Sequence, residues 1–173
     1  MANHPVPFDT EAPFGARRAI IRYNPDDATE LEMIEATWGS NPRFSGGLSY
    51  RFVRSEGQTF PNQRCLVPAS EFHIMASERR YRVTLASGDH FYLAGLWEPA
   101  MDGWPLAYRI ITVAANPEVS PFQERHGAII DRRQVKLWLD RTVPEIDILE
   151  TPPAGTFLIE EIDPAARQRS LAL

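Results

Sequence analysis

Short runs of alternating apolar and polar residues dominate the chain, broken every few positions by proline, glycine or an Asn/Asp turn. A period near two marks half-buried strands. The spacing predicts strands at Arg17–Tyr23, around Ala19-Ile20-Ile21, and at Leu48–Arg54, Arg64–Val67, Glu71–Met75, Tyr81–Leu85, His90–Leu96, Tyr108–Val113 and Thr156–Ile162. The run Glu30–Trp38 is ambiguous by pattern alone, since its apolar residues suit a helix or a strand. Asn24-Pro25-Asp26-Asp27 before it and Asn41-Pro42 after it are turn signals, so a hairpin strand is expected. Ser87-Gly88-Asp89 reads as a turn between two strands. One helix is predicted: Asp131 caps Arg132–Leu139, and Val135, Trp138 and Leu139 fall on one face at i, i+3, i+4.

These elements predict an α+β fold, a β-rich single domain whose central sheet includes the segments around Val67, Leu93 and Ile111. The proline-rich residues 1–15 read as an N-terminal arm and 16–173 as the domain. No internal repeat or low-complexity tract interrupts it. The 173 residues suit one core, and 43% hydrophobic with 24% charged residues is ordinary for a soluble domain. No apolar run approaches the roughly 18 residues of a membrane span. The first residues lack the basic start and apolar stretch of a signal peptide, so a cytoplasmic setting is expected.

Charge and side-chain chemistry narrow the function classes. A net charge of −5 argues against nucleic-acid binding through bulk charge but leaves a local basic groove open. The single cysteine, Cys65, excludes an intrachain disulfide and reads as a buried small hydrophobe. His4, His73, His90 and His126 lack metal-ligand spacing, so no metal and no cofactor are expected.

Several segments carry a resemblance. Arg64-Cys65-Leu66-Val67-Pro68-Ala69 followed by Phe72 resembles RCLxPAxGFYEW, and Ala94-Gly95-Leu96-Trp97-Glu98 resembles AGLWE. Ile111-Thr112, Ala115-Asn116 and Pro121 lead to Gln123-Glu124-Arg125-His126-Gly127, at the place of an HxRMP motif, and Trp138-Leu139 follows. Trp38-Gly39 resembles RWG, and Arg54-Ser55-Glu56 resembles NARxE. In that order, over roughly residues 17–162, these motifs are similar to those of the SRAP family, which crosslinks to abasic sites in DNA and is linked to the SOS response and autoproteolysis.

The resemblance implies a strongly twisted, barrel-like antiparallel sheet with a few helices. It also implies a site in which a cysteine at position 2, exposed when Met1 is removed, closes a thiazolidine ring on the aldehyde of an abasic site. The positions matching that site here are Ala2, Phe52, Ile74 and Gln123, in place of the family's Cys, Asn, Glu and His. Alanine offers an amine and no thiol, and glutamine exchanges no proton near neutral pH. Glu71, three residues before Ile74, belongs to the other strand face. The resemblance thus implies an inactive or non-covalent member. Arg54 and Arg125 are candidates for holding phosphate, and Trp38 for stacking on an unpaired base, with single-stranded or abasic DNA as partner. Two alternatives stand beside it: an enzyme rewired around Glu71, His73 or His126, and a structural or regulatory protein that kept only the fold.

With alanine as residue 2, incubation with abasic single-stranded DNA should leave no heat-stable shifted band on a denaturing gel. A band formed without reductant would show that another nucleophile closes the adduct. One trapped only by borohydride would reveal a Schiff base.

Overall fold

The computed structural model describes residues 7–10, 12–13, 15–41 and 51–162. A long hairpin comes first. Strands β2 (Arg17–Asn24) and β3 (Asp27–Trp38) pair from Arg17↔Thr37 to Tyr23↔Leu31. The turn is closed by asparagine and aspartate side chains, as such turns are: Asn24 Oδ1 accepts from the Asp26 N–H at 2.8 Å, and Asp27 Oδ1 from the Thr29 N–H at 3.0 Å. Run 30–38 is therefore a strand. Ile34, Ala36 and Trp38 fall on its inward face, and Glu32 lies opposite Arg22, paired at 2.8 Å.

A barrel grows around this hairpin. Strands β5 (Arg64–Ala69), β8 (Phe91–Glu98) and β9 (Ala107–Ala114) join it in the order β9-β3-β2-β5-β8, and β8 pairs again with β9, closing a ring. The segments around Val67, Leu93 and Ile111 all lie in this sheet, as predicted. Strands β1 (Pro7–Phe8), β6 (Glu71–Ala76), β7 (Arg79–Leu85) and β12 (Phe157–Glu161) form a second, four-stranded sheet. One core lies between the sheets, where Trp38, Val67 and Ile110 meet Phe72, Ile74 and Phe157.

On the other side of the barrel, helices α1 (Val135–Asp140) and α2 (Glu145–Ile148) cover Leu66, Ala94 and Ile111 with Trp138, Leu139 and Ile148. Arg64 fastens this layer. Buried beside the Trp138 ring, it donates to the carbonyls of Phe60 and Trp138 at 2.8 and 2.9 Å and pairs with Glu145 at 2.7 Å. Each nitrogen of its buried guanidinium is thus hydrogen-bonded.

Three details depart from the sequence reading. The sheets are not purely antiparallel, because β1–β6, β3–β9 and β4 (Phe52–Arg54) with β9 run parallel. The helix begins at Val135, since Asp131 Oδ1 accepts the N–H groups of Arg133 and Gln134 and so caps the turn before it. Within the stretch read as an arm, Pro7–Phe8 docks as a strand. Phe8 is buried, and Arg18 donates to the Pro7 and Pro68 carbonyls, both at 2.6 Å.

Between the diverging ends of β8 and β9 runs a segment with no clear sequence signal, β10 (Arg125–Gly127) and β11 (Ile129–Ile130). It pairs with β9 at residues 112–114 and with β8 at 92–93. Ala128 joins them, donating to the Ile111 carbonyl and accepting from the Ala94 N–H, each at 2.9 Å.

The barrel wall is tight where β5, β8 and β9 cross. A Cβ on Gly95 would lie 2.9 Å from Cys65 Sγ and 3.1 Å from the Arg109 carbonyl oxygen. Cys65 is fully buried there, and burial pushes its thiol well above the usual range. Gly95→Ala should therefore cost about 1–3 kcal/mol, as overpacking does. Urea unfolding checks this, and an unchanged midpoint would mean that the wall yields.

Candidate functional site

An open cleft of about 900 Å³ lies where the two sheets meet. Strand β4 forms one side. Hydrogen-bonded in parallel to β9, it directs Phe52 and Arg54 to the cleft, while Val53 joins the helix-side core. Phe72 of β6 enters from the second sheet, and Leu93 and Ile110 complete an apolar floor.

Four arginines line the cleft, Arg51, Arg54, Arg109 and Arg125, and among its described lining residues there is no aspartate or glutamate. Their surroundings differ. Arg51 donates to the Thr10 and Ala12 carbonyls at 3.3 and 3.1 Å, and Arg109 pairs with Glu98 at 3.2 Å. Arg125 is held on every side. Its two terminal nitrogens grip Glu56 at 3.0 and 2.7 Å, and its guanidinium also donates to the hydroxyl and carbonyl of Thr112 at 2.9 and 2.8 Å. The hydrogen bond from Arg125 holds the Glu56 carboxyl below its usual pKa. Arg54 is exposed, and its guanidinium makes no hydrogen bond or ion pair among the described residues.

Of the positions matched to the family's chemistry, Phe52 and Gln123 line the cleft together. Phe52 is half-buried, edge-on to Trp38 at 5.4 Å. Gln123 is half-buried, and its amide makes no hydrogen bond among the described residues. Ile74 is 1% exposed and packs in the core, so it does not reach the cleft; Phe72, two residues earlier on the same face, does. Ala2 lies outside the described residues. Trp38, read as a stacking platform, is also 1% exposed and sits among Phe8, Phe52 and Tyr108, so its ring offers no open face to a base.

His126 faces the cleft from β10 but is already satisfied. Its Nδ1 lies 2.8 Å from the Gly127 carbonyl and its Nε2 accepts from the Asn116 N–H at 3.3 Å, an arrangement that sets the neutral tautomer with the proton on Nδ1. The ring is stacked on Phe72 at 5.9 Å and edge-on to Phe157 at 5.3 Å. Burial, the largest influence, pushes its pKa down, with help from Arg125 and against the Gly127 hydrogen bond. Glu71 and His73 are elsewhere, on the β6 face opposite Phe72, where Glu71 Oε2 meets His73 at 2.7 Å and Arg82 at 2.9 Å. Burial works against the Glu71 carboxylate, but these two contacts prevail and keep its pKa low. Glu71, His73 and His126 therefore do not converge, and no three His, Cys, Asp or Glu residues among those described could hold a metal together.

Sequence reasoning missed Arg51 and Arg109. Arg109 had a usable signal, a lone arginine inside the otherwise uncharged, mostly apolar run Ala107–Ala114. Arg51 had none, since its place follows from parallel pairing of β4 that no local pattern announces.

The fold and site define a β-rich domain with a closed five-strand ring and a cationic cleft between two sheets. The family profile described as SOS response associated peptidase (SRAP) matches residues 12–162, and the chain belongs to that family. Among solved structures, a protein from Bordetella bronchiseptica is similar at a TM-score of 0.69 and 21% identity, over 91% of this chain and 90% of that one. A protein from Bacteroides thetaiotaomicron is similar at a TM-score of 0.67 and 18% identity, over 88% and 76%. At such identities these likenesses speak for the fold. No curated protein matches the sequence.

His126 sets a pH dependence. With its folded pKa depressed, the unfolded chain takes up a proton first as pH falls through about 6.5. The stability His126 confers is complete above that value and is lost progressively below it. Melting temperature should fall from pH 7 to pH 5, and His126→Gln should flatten that slope. An equally steep slope in the variant would place its origin in other groups.

Proposed function

We propose that this SRAP-family domain binds single-stranded DNA without forming a covalent bond to it, in the DNA-damage setting that the family's name denotes. The observation that carries the reading is the cleft lined, among the described residues, by four arginines and no carboxylate, in a chain whose net charge is −5. A local field of that sign against the bulk charge suits an anionic ligand. Arg54 is the group best placed to grip a phosphate, being exposed at the rim with its donors uncommitted to the described residues. That the cleft stays open over its floor among the described residues supports binding over a remnant fold.

Covalent chemistry has little support. The matched positions that reach the cleft are a phenylalanine and a glutamine, and the cleft histidine has both nitrogens occupied by backbone. A second reading, a structural or regulatory domain that kept only the fold, draws on Arg125. A guanidinium engaged by both Glu56 and Thr112 serves the wall of the cleft before any ligand.

The test is fluorescence anisotropy with labelled single-stranded DNA across a salt series. The logarithm of affinity should fall with that of salt at a slope of about −0.7 per phosphate neutralised. Arg54→Ala should weaken binding several-fold at low salt and reduce the slope by about one phosphate's worth. If the parent shows no binding at low salt, the DNA reading is wrong and the structural alternative takes its place.

A further inference from the structure

We infer that the cleft seats an intact nucleobase, not the base-free sugar that the resemblance would suggest. This rests on the DNA reading above and concerns which part of the strand enters. The floor is apolar and partly aromatic: half-buried Phe52 offers its ring at the opening, over Phe72, Leu93 and Ile110, which are buried beneath it. An aromatic ring, Phe52, stands where the matched motif has an asparagine. A deoxyribose without a base is small and polar and would leave this floor wet, whereas the face of a base covers apolar surface and stacks on aromatic rings.

Edge recognition is also available. The Gln123 amide lines the same cleft and makes no hydrogen bond among the described residues. It carries a donor and an acceptor on one planar group, the complement of a base edge that itself presents both. His126 cannot compete for that role, because backbone groups occupy both its nitrogens. Arg54 at the rim then lies where the phosphate of the inserted nucleotide would be. A cleft of about 900 Å³ falls within the ~300–1,000 Å³ typical of small-ligand sites and has room for a nucleotide.

The experiment compares two oligomers with equal numbers of phosphates, oligo-deoxyadenylate and an all-tetrahydrofuran strand without bases, by anisotropy at one low salt concentration. The base-bearing strand should bind about tenfold more tightly, a factor within the range of base–aromatic stacking. Gln123→Leu, at a half-buried position outside the core clusters, and Phe52→Asn should each shrink that preference at least threefold. Equal affinity for the two strands overturns the base seat while leaving the DNA reading intact. A preference that survives both substitutions also overturns it, because the bases would then be stacking elsewhere. If neither strand binds, the DNA reading fails and the seat fails with it.

Discussion

Buried backbone must find hydrogen-bond partners, and nowhere does that demand shape the molecule more than along β9. The strand is nearly all buried, yet no single neighbour runs its length. On one edge β8 serves residues 107–110 and β10 serves 112–114; on the other, β3 serves 107–108 and β4 serves 110–112. The splay between β8 and β9 admits the 125–130 segment, and parallel addition of β4 brings Phe52 and Arg54 alongside. The cleft is thus the by-product of a strand whose two edges are each shared.

The electrostatics follow from this arrangement. Strands crowding one central strand bring arginines close together, and each must be compensated or left at the solvent rim. Arg109 has Glu98, Arg125 has Glu56, and Arg51 has backbone carbonyls. The carboxylates among these partners are not among the described residues that line the cleft, whose charged lining there is arginine alone.

Much of the barrel was legible because its strands are amphipathic and separated by strong turn residues. The first hairpin strand shows in its alternation and the second in the turn signals that flank it, while 64–69 and 91–98 show as short apolar runs; 71–76, in the second sheet, is as plain. The segment 125–130 does not: Arg-His-Gly-Ala-Ile-Ile has no sustained period, and its extended form comes from the gap it fills. The site was legible in part. Period-two reasoning correctly put Glu71 on the face away from Ile74, and Phe52 and Arg54, two apart on β4, both reach the cleft. It could not tell that Ile74 and Trp38 lie below the floor, because alternation says which side a residue faces and not how deep that side is. The grip of Glu56 on Arg125 joins residues 69 positions apart, a pairing that alternation along one strand cannot assign.

The enclosure of Cys65 beneath Gly95 has a practical side. The chain's one sulfhydryl sits inside the barrel with no exposed surface and an acidity suppressed by burial. Thiol-directed dyes and spin labels act on exposed thiolate, so the native domain is a blank background for them. A cysteine placed by design at the mouth of the cleft would carry the only accessible tag, and the opening could then be watched directly, with no need to remove the native thiol.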